Sequence, residues 1–180
     1  MYRPADLVFV NKHTIISKLV SFFSRSKHES PTFATHVMGF CDSMSVIEAS
    51  FTTKKYKFYE SKVNYEYEVW RNIAFSYDET LSVVDEAGRY LGKKYGYFKL
   101  AMHILDTVLE KILGYSKPIY LFRRFCNNDD YPICSWLWGY SYKKSLGYQF
   151  GIDPKYLSPD DMYDYVRNHN LWVCIKYQGK

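Results

Sequence analysis

Two short β-rich segments joined by a tight polar turn constrain the fold more than any other feature of the sequence. Residues 34–41 and 45–50 are rich in β-branched and other apolar residues, and the connector around Asp42 and Ser43 is short and polar. This pattern predicts an antiparallel hairpin.

The register of this hairpin decides which side chains meet. If Phe40 pairs with Met44 across a three-residue loop formed by residues 41–43, His36 lies directly opposite Glu48 on one face. A loop of even length would place these two side chains on opposite faces.

Further strands and helices are predicted from periodicity, with most of the strands before the helices. Strands are expected over 6–10, 54–60, 65–75 and 171–175, and helices over 15–23, 78–91, 98–113, 133–146 and from 159 onward. The 98–113 helix is expected to pack its apolar positions into the core: Leu100, Ile104, Val108 and Ile112. No repeat or Pro/Gly-rich linker is present, so we expect one α+β domain over 1–180, with a small antiparallel sheet packed against helices.

Composition excludes several classes of protein. With 180 residues, 47% hydrophobic and 24% charged, the chain can bury a core, and its net charge of +5 is too modest to predict nucleic-acid binding. The 19 tyrosines predict amphipathic surfaces or a lined groove. Neither a signal peptide nor a transmembrane segment is recognisable, so a cytoplasmic location is the default expectation.

Cys134 is the strongest candidate for chemistry. Pro132 favours a helix start, which places the Cys134 thiol in the first turn, where unpaired amides and the helix dipole stabilise a thiolate. A cysteine nucleophile also needs a base and a group that orients the base, which His36 and Glu48 would supply. Taken singly, Cys134 fits a small core residue equally well, His36 a structural histidine and Glu48 a solvated strand position.

Five short motifs in this order resemble the permuted NlpC/P60 cysteine hydrolases of the YiiX/YebB type, which are circularly permuted papain-like proteins. They are residues 5–10, 35–40, 46–50, 91–97 and 133–137. In that family the histidine strand precedes the cysteine helix, and the resemblance covers residues 5 to 165. Two positions depart from the pattern: Ala5 replaces the usual glycine before Asp6, and Trp136 stands where family members often have glutamate.

The resemblance implies a catalytic triad with Cys134 as the nucleophile, His36 as the general base and Glu48 as the residue that orients it. It also implies a substrate-binding tyrosine before the cysteine helix, which matches Tyr95, although Tyr97 could be the equivalent. The expected activity is thiol-dependent hydrolysis of an amide bond, without a cofactor or metal. The substrate class covers peptides, and cell-wall peptides among them. Two alternatives remain open: a catalytically silent binding module with the same fold, and an acyl or ester hydrolase that acts on lipids.

Other motifs are weak. No signature of a serine hydrolase, P-loop, dinucleotide-binding protein or zincin occurs. A metal site built from Cys126, Cys134 and His103 fits no common zinc spacing. The basic, aromatic run at 54–59 could stack on single-stranded nucleic acid or touch a membrane, but it is more typical of an edge strand protected by lysines. The segment 98–131 is a candidate lid or insertion.

Overall fold

The computed structural model describes residues 1–11, 33–60, 63–114, 121–122 and 131–179. Six strands and four helices lie in these ranges: β1 (Leu7–Asn11), β2 (His36–Phe40), β3 (Ser45–Ala49), β4 (Thr53–Lys57), β5 (Glu66–Asn72), α1 (Tyr77–Gly88), α2 (Tyr97–Leu113), α3 (Cys134–Leu146), α4 (Pro159–Asn168) and β6 (Trp172–Gln178). The helix predicted at 15–23 lies outside the described residues.

The six strands form one antiparallel sheet in the order β4-β3-β2-β1-β5-β6. This confirms the predicted α+β class, and it places β4 at an edge, as its lysines suggested. Lys54, Lys55 and Lys57 are all exposed on this strand. Charged side chains of this kind protect an edge strand from pairing with other chains.

Both faces of the sheet are buried at its centre. On β1, Leu7 and Phe9 belong to the core that packs against the helices, whereas Val8 and Val10 belong to a second core on the other face. This explains why the 6–10 segment is a continuous apolar run and does not alternate between apolar and polar residues.

Local capping sets the ends of the helices. Ser76 and Glu79 form a capping box at the start of α1, and Ser158 and Asp161 form one at the start of α4, as the Ser-Pro-Asp-Asp sequence predicted. Gly147 ends α3 with φ at 68°, a left-handed conformation that glycine adopts without strain.

Helix α2 differs from the prediction in the face that it buries. Among its described side chains, the buried ones are the polar Lys99, His103 and Asp106, while Ile112 is 74% exposed. The remaining predicted core positions, Leu100, Ile104 and Val108, are only half-buried. Apolar spacing identified α2 as amphipathic, but it did not determine which face meets the protein, and the predicted burial was wrong.

The segment before β1 is held by Asp6. The Arg71 side chain binds both carboxylate oxygens of Asp6, Nε to Oδ1 at 2.8 Å and Nη2 to Oδ2 at 2.6 Å. The backbone of Ala5 donates to the carbonyl of Phe40 at 2.7 Å, and its own carbonyl accepts from the Tyr142 hydroxyl at 2.7 Å. These contacts tie the start of the chain to β2, β5 and α3.

No helix in the described part of the chain has both the length and the apolar character needed to cross a bilayer.

Candidate active site

The candidate nucleophile is the first residue of α3. Ile133 occupies the N-cap with extended backbone and makes no side-chain cap hydrogen bond, and the first turn contains no acidic residue. No capping side chain therefore competes for the amides of this turn, and the helix dipole favours a negative charge beside them. The Cys134 side chain is buried against β2 and its neighbours, with 4% of the residue exposed.

His36 and Glu48 meet, as the sequence predicted, but not as directly opposed residues. Nε2 of His36 lies 2.8 Å from Oε1 of Glu48, and both side chains are largely buried. β2 and β3 pair through Gly39 with Ile47 and Phe40 with Val46. The same register places Glu48 opposite Met38, so His36 reaches it diagonally across one face of the hairpin.

The register prediction was wrong because of Asp42. Its side chain accepts hydrogen bonds from the backbone N–H groups of Met44 at 2.9 Å and Ser45 at 2.7 Å, which makes Asp42 the first residue of the turn. Cys41 then donates to the carbonyl of Ser45 at 2.9 Å. The loop is still three residues long, so the faces are preserved, but it spans 42–44 and not 41–43.

A gap between β2 and β3 positions the thiol. Although residues 36–38 and 48–50 are all described, the pairing of β2 with β3 extends no further toward His36 than Gly39. Amides alternate along a strand, and Cys41 donates toward β3, so the Val37 N–H points to the same side. That N–H donates to the Cys134 thiol, so the thiol is held at the point where the pairing of the two strands has ended.

The surroundings of Cys134 favour its ionised form. Burial alone raises the pKa of the thiol, because it penalises the thiolate. The charge and hydrogen bond of His36, together with the N–H groups of Val37 and Ser135, outweigh burial and hold the pKa of Cys134 below that of an ordinary cysteine. Because Nε2 of His36 faces Glu48, Nδ1 is the ring nitrogen left to serve Cys134.

Tyr95, and not Tyr97, touches the thiol. Burial is the main cause that raises the pKa of the Tyr95 hydroxyl, and its hydrogen bond to the Cys134 thiol raises it further. The same hydroxyl accepts from the backbone N–H of Cys134. The Tyr97 ring packs on Tyr95 at 5.2 Å between centroids and is about half exposed.

Gly96 lets the segment that carries Tyr95 and Tyr97 pack against the residues that precede α3. Its N–H donates to the carbonyl of Pro132 at 3.0 Å. A Cβ at this position would lie 2.5 Å from the carbonyl oxygen of Tyr131, so a larger residue would push the two segments apart. The start of α2 is thereby held beside the start of α3.

Tyr56 is a site residue that the sequence reasoning missed. Its hydroxyl donates to Oε2 of Glu48 at 2.7 Å, so both carboxylate oxygens are engaged. Burial and the charge of Glu48 raise the pKa of Tyr56 well above that of free tyrosine. The alternation of side chains along β4 could have predicted it. Tyr56 pairs with Val46, whose side chain lies on the same face of the sheet as that of Glu48.

Trp136 lies in an aromatic cluster beside the cysteine helix. Its ring stacks on Tyr140 at 4.6 Å, meets Tyr90 edge-on at 5.3 Å, and has the Lys99 ammonium 4.1 Å from its centroid. The residue is 2% exposed. Here Trp136 joins the packing between α2, α3 and Tyr90, which lies two residues past the end of α1.

The comparisons with known proteins agree with this fold. No protein-family model matches the chain, and no curated protein matches it. Among solved structures, the chain is similar to the crystal structure of the metalloprotein YiiX from Escherichia coli O157:H7, a DUF1105 protein, with a TM-score of 0.66 over 99% of both chains and 15% sequence identity. The protein therefore has a YiiX-type fold, as the five motifs predicted; at this identity the likeness concerns the fold alone.

That neighbour is a metalloprotein. In the part of the chain that the structure describes, no three His, Cys, Asp or Glu side chains form a group that could hold a metal ion. Cys126 lies outside the described residues, so the Cys126, Cys134 and His103 alternative stays untested.

Proposed function

We propose that the protein is a thiol-dependent hydrolase, a peptidase or amidase, with Cys134 as nucleophile, His36 as general base and Glu48 as the residue that orients His36. The observation that carries the proposal is the meeting of a low-pKa thiol at a helix start with an imidazole whose far nitrogen lies 2.8 Å from a buried carboxylate. Perturbed thiols of this kind are typical of catalytic cysteines.

In this mechanism, His36 takes the proton of Cys134, and the thiolate attacks the carbonyl carbon of the substrate. The resulting oxyanion is stabilised by backbone N–H groups at the start of α3. The His36 imidazolium then protonates the leaving amine, and a thioester forms on Cys134. Water, deprotonated by His36, attacks the thioester and regenerates the thiol.

Tyr95 would border the substrate in this site. Its hydroxyl lies between the Cys134 thiol and the Cys134 amide, so it stabilises the thiolate before attack. Glu48 and Tyr56 do not touch the substrate in this scheme. They hold the imidazole in one orientation and fix its tautomer.

The test combines pH-dependent alkylation of Cys134, read by mass spectrometry, with hydrolysis assays on peptide amides and on carboxylic esters. Cys174 is an internal control. The residue is exposed, and the partial burial of its sulfur raises the pKa of the thiol. We expect Cys134 to be labelled at lower pH than Cys174, and His36→Ala to abolish this difference. We also expect Cys134→Ser to abolish hydrolysis.

Different results separate the rival functions. Slow labelling of Cys134 that His36→Ala does not change, in a folded variant, would contradict the proposal and favour a silent binding module. Cleavage of esters without cleavage of amides would instead favour the acyl hydrolase alternative.

A further inference from the structure

Helix α2 carries an apolar stripe on its outer face. Phe98, Ala101, Leu105 and Ile112 follow the three- and four-residue spacing of one helix face, and all four are exposed, with Phe98 at 65% and Ile112 at 74%. The opposite face, which is buried, carries Lys99, His103 and Asp106. This polarity is the reverse of that of a surface helix facing water.

The apolar surface continues beyond the helix. Phe51, in the β3–β4 connection, is 75% exposed, and Leu91, Tyr97 and Phe98 are exposed near the start of α2. Three hydrogen bonds between backbones join these parts: the N–H of Tyr95 donates to the carbonyl of Phe51 at 3.0 Å, that of Thr53 to Lys93 at 2.8 Å, and that of Gly92 to Thr53 at 2.8 Å. Together, Phe51, Leu91, Tyr97, Phe98, Leu105 and Ile112 form what we call the rim.

The segments around the rim are rich in cations. Residues 51–59 and 91–113 contain seven lysines and only two acidic residues, Asp106 and Glu110, of which Asp106 is buried. They contain exposed lysines on the joined segments: Lys54, Lys55, Lys57, Lys93 and Lys94. Lys55 is paired with Asp42 at 3.2 Å, and Lys93 and Lys94 precede the first residue of α2 by four and three residues.

We propose that the rim docks on an anionic lipid surface, with the α2 stripe in the interfacial region and the flanking lysines on the lipid headgroups. An amphipathic helix with an exposed apolar face and neighbouring cations has the composition of an interfacial element. A second copy of this chain is a poorer occupant, because two basic rims would repel each other.

Docking in this way places the candidate active site at the membrane surface. Tyr95 contacts Cys134 and lies two residues before α2, so the candidate site lies close to the rim. Substrates presented at the membrane would then reach the thiol without crossing bulk water. The surface itself does not depend on the chemistry of Cys134, and its test can fail or succeed independently of the proposed hydrolase activity.

The test is cosedimentation of the full chain, carrying Cys134→Ser, with vesicles of phosphatidylcholine alone or with phosphatidylserine added. We expect binding to the vesicles that contain phosphatidylserine, weakened by salt. The double variant Phe98→Ser/Ile112→Ser should bind at least about tenfold more weakly, since it removes apolar area that enters the interface. Lys93→Glu/Lys94→Glu should also bind at least about tenfold more weakly.

Matched controls separate docking from general attraction. Ile73→Ser/Tyr77→Ser removes two side chains of similar exposure away from the rim, and Lys144→Glu/Arg167→Glu makes the same charge change on exposed positions of α3 and α4. Both controls should stay within about twofold of the parent protein, which would support the rim as the docking surface.

Three results of the vesicle-binding assay would overturn the proposal. They are no binding to vesicles that contain phosphatidylserine, equal weakening by rim and control variants, and binding that the Phe98→Ser/Ile112→Ser change leaves intact. A dimer in gel filtration that this same change converts to monomer would also overturn it, because it would assign the rim to a second copy of the chain.

Discussion

The Tyr56 hydroxyl donates a 2.7 Å hydrogen bond to Oε2 of Glu48, whose Oε1 lies 2.8 Å from Nε2 of His36. The carboxylate is therefore held at both oxygens, and it in turn holds one edge of the imidazole. Orientation of the base thus begins on the edge strand β4, two strands away from β2.

Tyr56→Phe tests this relationship. The variant leaves one oxygen of a buried carboxylate without its hydrogen bond, so we expect the free energy of unfolding to fall by about 1.5–3 kcal/mol. Freed from this restraint, Glu48 should hold His36 less well, and alkylation of Cys134 near neutral pH should slow several-fold. Urea denaturation and labelling rates measure the two effects.

Tyr177→Phe is the control for Tyr56→Phe, because Tyr177 is 61% exposed on the edge strand β6. It should change neither quantity. If Tyr56→Phe labels and unfolds like this control, the hydroxyl does not position Glu48.

Tyr95→Phe should raise the apparent pKa of Cys134. The Tyr95 hydroxyl donates to the thiolate, and removing the donor favours the protonated thiol. A rise of one unit would lower the thiolate fraction about tenfold at any pH well below that pKa. The pH profile of alkylation should therefore shift to higher pH.

Tyr97→Phe distinguishes the two tyrosines that the sequence left open. The Tyr97 ring packs on Tyr95 and is half exposed, so losing its hydroxyl should leave the Cys134 profile unchanged. A shift in the Tyr97 variant with none in the Tyr95 variant would reverse the assignment.

The parts of the site that the sequence predicted are those set by local rules. Strand parity put His36 and Glu48 on one face whichever odd-length loop formed, and Pro132 marked the helix start beside Cys134. The exact register could not be read, because it depended on Asp42 binding the amides of Met44 and Ser45. That choice is made by side-chain geometry and not by composition.

The parts that were missed depend on tertiary contacts. The hydrogen bond from the Val37 amide to Cys134 joins the hairpin to α3, where the pairing of β2 with β3 has ended, and local sequence rules do not report such a contact. The burial of α2 was predicted on the wrong face, since hydrophobic spacing reports two faces but not their surroundings. Only the packed structure shows that Lys99 lies inside and Ile112 outside.

Gly39 permits α3 to approach the sheet closely, and Gly39→Ala tests this. A Cβ there would lie 2.4 Å from Cζ2 of Trp138, a buried ring that cannot move aside cheaply. We expect the free energy of unfolding to fall by about 1–3 kcal/mol, as in other overpacked cores. Gly88→Ala, at the end of α1, would contact nothing within 4 Å and should be neutral or slightly stabilising. Equal stability of the two variants in urea would show that the contact is not restrictive.

The backbone conformation at Ala5 explains why the family that this chain resembles usually has glycine before the aspartate. Its φ is 62°, in the left-handed region where a side chain is strained, and it is fixed there by hydrogen bonds to Phe40 and Tyr142. Ala5→Gly should relieve about 1–2 kcal/mol of strain. It also loses about 0.8 kcal/mol of buried methyl and adds about 0.4–1 kcal/mol of unfolded-chain entropy. The net change should therefore be within about 1 kcal/mol.

Ala5→Val should behave differently, because a β-branched side chain is a genuine outlier at positive φ and this position is only 2% exposed. We expect it to lower the free energy of unfolding by more than about 2 kcal/mol, by combining backbone strain with crowding. Urea denaturation of the three proteins measures both changes. A valine variant as stable as the parent would mean that the Ala5 turn opens without cost, and that the Asp6 and Arg71 pair alone anchors the start of the chain.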